Sequence, residues 1–276
     1  MKSMKAALMT HRGAVRKENQ DAVFVPGTVR AGDMDVPEFC DLGSRERPIL
    51  LAVIDGMGGR EGGALAAKIM ADTFAEELEG KDVFGARLHL DEDERALRRL
   101  LTEAAGKMRA EALKNPLLTE MGATVSGLLL REKSALAFNC GDCRAYRFSG
   151  GYLERVTRDH SIVQALLEAE KIDEEEMRTH PQKNIVTSAV SADTCGEFDL
   201  FVKGLSLSEG DSFFLCSDGV WEALSHQELT ALIARGAPSP EAARGLFDAL
   251  LAAECRDNVS FIWAGSSAAP GIPRED

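Results

Sequence analysis

The stretch Ile49-Leu50-Leu51-Ala52-Val53-Ile54-Asp55-Gly56-Met57-Gly58-Gly59 joins an unbroken apolar run to an acidic, glycine-rich turn. An apolar run of this length, bounded by turn residues, is typical of a buried strand. Asp55 follows the run directly, and the glycines after it allow a sharp turn that brings a backbone carbonyl close to a bound ion. Asp-Gly is also a common turn dipeptide. The stretch therefore predicts a buried strand that ends at a turn or at a site.

Three other aspartates have comparable surroundings. Asp218-Gly219 comes shortly after the apolar run Phe213-Cys216, Asp257 precedes Val259-Trp263, and Asp21 ends the segment Arg16-Lys-Glu-Asn-Gln-Asp. Strand ends from distant parts of a chain can converge, and converging carboxylates repel one another unless a hard cation lies between them. The pattern predicts a magnesium or manganese site.

Composition bounds the class of protein. The chain has 276 residues, 45% of them hydrophobic, with a net charge of -13 and a pI near 5.0. It is long enough for one large domain or two small ones. The acidic balance argues against a nucleic-acid partner, and no apolar stretch is long enough to span a bilayer. The start of the chain lacks the apolar core of a signal peptide, and the six cysteines do not form a small disulfide framework, so we expect a reducing, cytoplasmic setting.

The order of elements indicates the fold class. Strands are predicted at 5–10, 22–25, 49–54, several times between 123 and 152, and at 197–203, 211–216 and 259–264. Helices are predicted at 61–79, 91–114 and 161–179 and after the caps Ser225 and Ser239. Residues 26–48 are interpreted as an extended hairpin or surface insertion. This order lacks βαβ alternation and predicts an α+β fold of antiparallel sheets packed face to face, with helix pairs outside.

Each of four isolated features allows both a functional and a structural interpretation. Arg16 could bind a phosphate through its guanidinium fork, although a surface arginine is the commoner case. Asp142 lies at a tight turn and could serve the turn alone. Cys140-Gly-Asp-Cys143 has the spacing of redox and zinc motifs, but it lacks a second pair and has strand-like flanks, so a structural role is favoured. His160 is likewise assigned a structural role rather than proton transfer.

Taken together, the motifs form an ordered set that covers nearly the whole chain. They are Gly13-x-Val15-Arg16-x-x-Asn19-Gln20-Asp21, Val53-x-Asp55-Gly56-Met57-Gly58-Gly59, Gly122-Ala123-Thr124, Asn139-x-Gly141-Asp142-x-Arg144-x-Tyr146, Thr157-Arg158-Asp159-His160-Ser161, Asn184-x-x-Thr187-x-Ala189, Phe214-Leu215-x-Ser217-Asp218-Gly219-Val220-Trp221 and Asp257-Asn258-Val259-Ser260. This set resembles the metal-dependent serine/threonine protein phosphatases of type 2C, in their bacterial form.

The resemblance implies a four-layer α-β-β-α sandwich with Mn²⁺ or Mg²⁺ in a cleft at one end. It implies a single catalytic domain over residues 1–265, a flap beside the active site (about residues 160–184, hereafter the flap) and a flexible tail over 266–276. Two core ions and a third, weaker ion are implied. The implied metal-site residues are Asp21, Asp55, Gly56, Asp142, Asp218 and Asp257, with Glu222 as a further candidate for the third ion.

Roles follow from the same resemblance. Asp55 would bridge the two core ions, the Gly56 carbonyl would bind one, and Asp218 and Asp257 would hold the other. Asp21 would act mostly through metal-bound water, and Asp142 with Asp218 would hold the third ion. Arg16 would bind the substrate phosphate, so that Arg16, Asp55 and Asp218 are the catalytic candidates. The implied reaction is hydrolysis of phosphoserine and phosphothreonine by a metal-activated bridging water.

Three positions depart from the family pattern. Met57 stands where some members have a histidine proposed as the general acid, so the leaving-group proton must come from metal-bound water or another residue. Ser188 and Ser191 stand where members often have Arg and Gly, which concerns local packing and substrate contacts rather than the metal site.

The implied partners are phosphorylated proteins, among them a serine/threonine kinase and its targets, and the implied state is a monomer. A pseudophosphatase that binds phosphoproteins or metal without turnover is the alternative, and it would be favoured by the loss of a ligand aspartate. None is lost. A metal-dependent nuclease or phosphodiesterase is disfavoured by the acidic charge and the lack of basic-aromatic strips.

Overall fold

Two antiparallel sheets form the centre of the protein. The computed structural model describes residues 4–43, 47–194 and 196–266. The strands of the first sheet, in spatial order, are β4 (Glu38–Gly43), β1 (Met4–His11), β13 (Val259–Ser266), β12 (Ser212–Cys216), β8 (Arg144–Ser149) and β9 (Tyr152–Arg155). Those of the second are β11 (Phe201–Ser206), β7 (Ser134–Cys140), β6 (Gly122–Leu130), β5 (Ile49–Met57), β2 (Asp21–Val25) and β3 (Thr28–Ala31), with β10 (Val190–Ser191) paired to β6.

The apolar run in β5 is buried on both of its faces. Leu51 and Val53 belong to the core between the two sheets, whereas Leu50, Ala52 and Ile54 belong to the core beneath a helix pair. Successive strand residues point to opposite faces, so a strand covered on both sides must be apolar throughout. This double coverage explains why the run shows no polar alternation.

Helix pairs cover the outer faces of the sandwich. Helices α1 (Gly59–Leu78) and α2 (Leu90–Lys114) pack on the second sheet, while α6 (His226–Ile233) and α7 (Pro240–Ala252) pack on the first. A short helix, α5 (Asp218–Ala223), follows β12. The predicted α+β fold of two stacked antiparallel sheets between helix pairs is confirmed. Among the described residues, none of the helices is both long and apolar enough to cross a membrane.

The predicted caps at the start of α6 and α7 are present. Ser225 and Glu228 form a capping box, in which each side chain accepts a hydrogen bond from the other residue's backbone N–H. The Ser239 hydroxyl accepts from the N–H of Ala242, with Pro240 in the first turn. These side chains satisfy backbone donors that the first helical turn leaves free, so local sequence is enough to predict where these helices begin.

Three predictions about local structure are wrong. Residues 26–48 are not one hairpin or insertion, because β3 pairs with β2 in the second sheet and β4 pairs with β1 in the first. The β5 strand does not end at Ile54 but continues through Met57. The strand predicted at 197–203 begins only at Phe201. In each case the pairing partner, rather than local propensity, sets the boundary.

The predicted helix 161–179 is in fact two helices. Helix α3 (Ile162–Glu168) ends before Glu170, whose φ of 54° lies in the left-handed region. Helix α4 (Glu174–Thr179) starts at a capping box formed by Asp173 and Glu176. A second N-cap within a continuous acidic stretch is the signal for the break. At the C-terminal end, Ser266, the first residue of the predicted tail, belongs to β13, and residues 267–276 lie outside the described residues.

Candidate metal and phosphate site

Two adjacent strands place the first pair of aspartates side by side. Asp21 opens β2 and is the cross-strand partner of Asp55 in β5. Asp21 and Asp55 lie on the same faces of their strands as Val23 and Val53, which belong to the core between the two sheets. The alternation therefore places both carboxylates at one end of the sandwich, where the apolar core gives way to acidic residues.

Gly56 fits a position where a side chain could not. A Cβ atom added there would lie 2.0 Å from the carbonyl oxygen of Gly63 and 2.6 Å from that of Gln20. The Gly56 N–H donates to the Gln20 carbonyl at 3.1 Å. The residue thus packs the end of β5 against the start of α1 and the segment before β2, with no room for substitution.

The remaining aspartates arrive from the first sheet and its connections. Asp218 is the first residue of α5, immediately after β12, and Asp257 lies two residues before β13. Asp142 lies in the turn between β7 and β8 and is 3% exposed. Its carbonyl accepts a 3.1 Å hydrogen bond from the indole N–H of Trp221, which fixes the turn against α5.

Burial and mutual repulsion raise the pKa of four of the five carboxyl groups, those of Asp21, Asp55, Asp142 and Asp218. Burial is the main cause at Asp55, followed by the charges of Asp21, Asp218, Asp142 and Asp257, and the pKa of Asp55 lies well above its ordinary value. The pKa of Asp218 is also raised well above its ordinary value, first by burial and then by the charges of Asp142 and Asp257. The structure thus brings all five aspartates into one cluster, in which their negative charges repel one another.

The pKa values of Asp142 and Asp21 are also raised. Burial raises the pKa of Asp142 to about 7, with the charge of Asp159 next in importance. Burial also raises the pKa of Asp21 to about 6, although the nearby hydroxyl groups of Ser260 and Ser217 act in the opposite direction. Buried carboxylates that retain protons near neutral pH form a site that is electrostatically short of cations.

The donor set fits a hard divalent cation. Oδ1 of Asp21 is fully buried and has no hydrogen-bond partner, so an oxygen lone pair is left unsatisfied in the interior. Within the described residues, no three histidine, cysteine, aspartate or glutamate side chains are already positioned to hold one metal ion. The carboxylates are therefore clustered without forming a closed coordination shell. Such an arrangement suits an ion like Mg²⁺, which keeps several of its water molecules.

Arg16 contacts the cluster through Asp257. Its Nη2 lies 2.5 Å from Oδ2 of Asp257, and the arginine side chain is 52% exposed. The hydrogen bond to Asp257 is the main cause that raises the pKa of Arg16. The predicted phosphate ligand is thus at the mouth of the site, with its guanidinium on one of the predicted metal ligands.

A network of buried hydroxyl groups, which the sequence did not reveal, supports the carboxylate of Asp21. The Ser217 hydroxyl donates to Oδ2 of Asp21 at 2.7 Å and accepts from the Ser260 N–H at 3.0 Å. The Ser260 hydroxyl donates to that of Thr10 at 2.8 Å. All three hydroxyl residues are fully buried. Hydroxyl residues at buried positions of apolar strands were the available signal, since a buried hydroxyl needs a partner.

Asn258 also belongs to the support of the site. Its Oδ1 accepts from the N–H of Gln20 at 2.9 Å, and its Nδ2 donates to the carbonyls of Arg12 and Glu18. These three bonds hold the segment that carries Arg16 against the loop that carries Asp257. The residue was visible in sequence only as part of the Asp257-Asn258 motif.

His160, Cys140 and Cys143, for which structural roles were predicted, make structural contacts. The backbone N–H of Gly141 donates to Nδ1 of His160 at 3.1 Å, and burial lowers the pKa of His160. Cys140 and Cys143 are buried free thiols whose pKa values burial raises, so neither resembles a reactive thiolate. Met57, at the end of β5, is 39% exposed and carries no titratable group.

The two serine departures make local hydrogen bonds. The Ser188 hydroxyl accepts from the N–H of Asp199 at 2.8 Å. The Ser191 hydroxyl donates to Oδ1 of Asp193 at 2.5 Å. Both bonds tie together the connection that leads from the flap to β11, so these serines affect packing beside the cluster.

The structure thus combines a four-layer α-β-β-α sandwich with five clustered aspartates at one end, which is the arrangement of a metal-dependent enzyme. The family model described as Protein phosphatase 2C matches residues 39–253. The chain therefore belongs to the protein phosphatase 2C family, and it is an enzyme of the protein serine/threonine phosphatase type.

Individual relatives agree with this assignment. The chain is 27% identical over 234 residues to the serine/threonine phosphatase stp of Listeria monocytogenes, covering 83% of each protein. It is similar to the crystal structure of serine/threonine phosphatase Stp1 from Staphylococcus aureus, with a TM-score of 0.77, 29% identity and 95% coverage of both chains. The catalytic domain of PstP, solved in complex with 2 manganese ions, has the same fold, with a TM-score of 0.75, 24% identity and coverage of 97% and 100%.

Proposed function

We propose that this chain hydrolyses phosphoserine and phosphothreonine in proteins with the help of Mn²⁺ or Mg²⁺ at the five-aspartate cluster. The observation that carries the proposal is the buried, mutually repelling set of carboxylates, with one oxygen of Asp21 left unpartnered. The relatives support it, since they are serine/threonine phosphatases and one is a complex with two manganese ions.

The proposed metal ligands are those that the family resemblance implies. Asp55 would share the two core ions, and the carbonyl of Gly56 would bind one of them. Asp218 and Asp257 would hold the other ion, Asp21 would act mostly through metal-bound water, and a third ion would use Asp142 with Asp218. When bound, such ions lower the pKa of a coordinated water and neutralise phosphoryl oxygens.

The chain's own residues have separate tasks in this proposal. Arg16 is exposed enough to reach a substrate phosphate and presents a bidentate fork to it. The Ser217 hydroxyl donates to Oδ2 of Asp21, which favours the ionised carboxylate against the burial that raises its pKa. Met57 cannot donate a proton, so the leaving serine or threonine oxygen must be protonated from water or from another residue.

The finer biological assignments are part of the same proposal. We propose one catalytic domain over residues 1–265 that includes the flap, acts as a monomer and opposes a serine/threonine kinase. We also propose a cytoplasmic location, which is supported by the five cysteines described as free, four of them buried, as expected in a reducing compartment.

Hydrolysis of a phosphothreonine peptide and of a generic phosphate ester tests the proposal. The purified protein should hydrolyse both with Mn²⁺ and stop with EDTA. Asp218→Asn should lose turnover while its circular dichroism spectrum is retained, and Asp248→Asn, which changes an exposed aspartate on α7, should behave as wild type. Activity that persists in EDTA would refute the mechanism. Manganese binding without turnover would favour the pseudophosphatase instead.

A further inference from the structure

The flap is fastened to the body of the protein by an ion pair outside the five aspartates. The ammonium group of Lys183, near the C-terminal end of the flap, contacts the carboxylate of Glu222 in α5. The two side chains are only 27% and 13% exposed. Shielding from water makes such a pair stronger and less sensitive to salt than one on an open surface.

Glu222 lies one helical turn after Asp218 in α5 and next to Trp221, whose indole N–H donates to the carbonyl of Asp142. Besides burial and nearer carboxylates, the negative charge of Glu222 contributes to the raised pKa of both Asp142 and Asp218. Its Oε1 is buried without a hydrogen-bond partner, so one oxygen remains available while the lysine holds the other. Glu222 thus stands between the flap and the two aspartates proposed for the third ion.

A second contact from the flap reaches the same residue. Nη2 of Arg178, in α4, donates to the backbone carbonyl of Glu222 at 3.0 Å. Arg178, Glu175 and Met177 also line a cavity of about 1030 Å³, together with residues of α6 and β8. The sulfur of Met177 accepts a hydrogen bond from Arg144 in β8 at 3.4 Å, so this part of the flap is held to the body both at Glu222 and at Met177.

We propose that Lys183 is a positioning residue that fastens the flap to α5, and that a divalent cation drawn to Glu222 beside Asp142 and Asp218 releases the flap by competing with the lysine. A divalent ion attracts a carboxylate about twice as strongly as an ammonium at equal distance. The inference rests on the proposed function, since it concerns the same cluster. In the absence of the most weakly bound ion, the ammonium group of Lys183 then neutralises Glu222 in its place.

Cation binding beside Glu222 and release of the flap affect each other in both directions. If cation binding weakens the hold of Lys183 on the flap, then removing Lys183 must strengthen cation binding by the same factor. For a partly shielded ion pair we expect a factor of roughly 3 to 10. Two measurements that do not depend on activity therefore report on the same competition.

Hydrogen exchange and calorimetry on the full chain test this inference. Amides of residues 174–184 in wild type should exchange roughly 3 to 10 times faster after Mn²⁺ is added. In Lys183→Ala they should be equally fast without Mn²⁺, and the weakest Mn²⁺ site should bind roughly 3 to 10 times more tightly. Lys183→Arg should restore slow exchange. Lys171→Ala, at an exposed lysine elsewhere in the flap, should match wild type.

Two outcomes separate this inference from the proposed function. If wild type binds Mn²⁺ and hydrolyses the phosphate ester, but Mn²⁺ leaves or slows flap exchange, the flap inference is wrong and the proposed function stands. If calorimetry detects no Mn²⁺ binding and no hydrolysis occurs, both are wrong. Lys183→Ala that is indistinguishable from Lys171→Ala in exchange and in Mn²⁺ affinity would also overturn the role of Lys183.

Discussion

Replacing Asp142 by Asn should stabilise the metal-free protein at alkaline pH. The carboxyl group is 3% exposed, and burial with the nearby charge of Asp159 raises its pKa to about 7 from an ordinary value of 3.8. Asn has nearly the same shape and carries no charge. Without a bound cation, the substitution removes a buried negative charge that the fold leaves insufficiently compensated.

The size of the effect follows from the two pKa values. Above about pH 4 the unfolded chain has lost the Asp142 proton, while the folded chain keeps it until about pH 7. The Asp142 contribution to folding free energy therefore becomes less favourable as pH rises through this window, and it is constant above it. Each pH unit is worth about 1.4 kcal/mol, so the difference between variant and wild type should grow by about 3 kcal/mol from about pH 5 to about pH 8. Neighbouring carboxylates share this proton uptake, which makes about 3 kcal/mol the upper value.

Thermal or urea unfolding in EDTA at the two pH values measures the difference directly. For a domain of this size, about 3 kcal/mol corresponds to a shift in Tm of roughly 6 °C. Adding Mn²⁺ at about pH 8 should stabilise wild type more than Asp142→Asn, because the variant offers one ligand fewer. Asp248→Asn, at an exposed helix position, provides the control.

One result would refute the electrostatic reasoning. If Asp142→Asn is destabilised in EDTA by the same amount at both pH values, then the Asp142 carboxylate makes favourable contacts in the folded state and its pKa is not raised. The cluster would then not be short of cations in the sense argued from burial and repulsion.

Three further predictions concern other parts of the molecule. Gly56→Ala should lose Mn²⁺ affinity and lower the Tm, because its Cβ would lie 2.0 Å from the Gly63 carbonyl; calorimetry and thermal unfolding measure both, and an unchanged Tm would contradict the close packing. Asp93→Ala should cost about 3 to 5 kcal/mol in urea unfolding, because it leaves the buried guanidinium of Arg131 without its 2.6 Å carboxylate partner. Arg16→Ala should raise KM for a phosphopeptide roughly 10- to 100-fold, as expected for one lost charge-assisted bond to phosphate, and an unchanged KM would exclude that role.

Local sequence predicted those features whose causes are local. The caps at Ser225 and Ser239 follow from side chains that satisfy backbone donors within the same turn. The apolar run before Asp55 predicted a buried strand, because water exclusion needs no knowledge of the partner. The order of strands and helices was enough to exclude βαβ alternation, and the family resemblance supplied the four-layer arrangement.

Strand boundaries that depend on a pairing partner could not be predicted from the sequence. The segment 26–48 divides between two sheets because β3 and β4 find different neighbours. The Ser217 hydroxyl donates to Asp21 across 196 residues of chain and accepts from the Ser260 N–H, a relation that no spacing rule contains. Pairing and burial of this kind are settled only when distant segments meet.

The sequence by itself determined which chemical groups this protein possesses: five aspartates beside apolar runs, glycines where the backbone must turn, and the ordered motifs of its family. The tertiary structure alone decided their electrostatic state. It brings the carboxylates together so that the pKa values of Asp21, Asp55, Asp142 and Asp218 rise, leaves one oxygen of Asp21 unpartnered, and places Arg16 on Asp257 and Lys183 on Glu222. Charge and desolvation depend on distance through space, and the chain sets those distances only by folding.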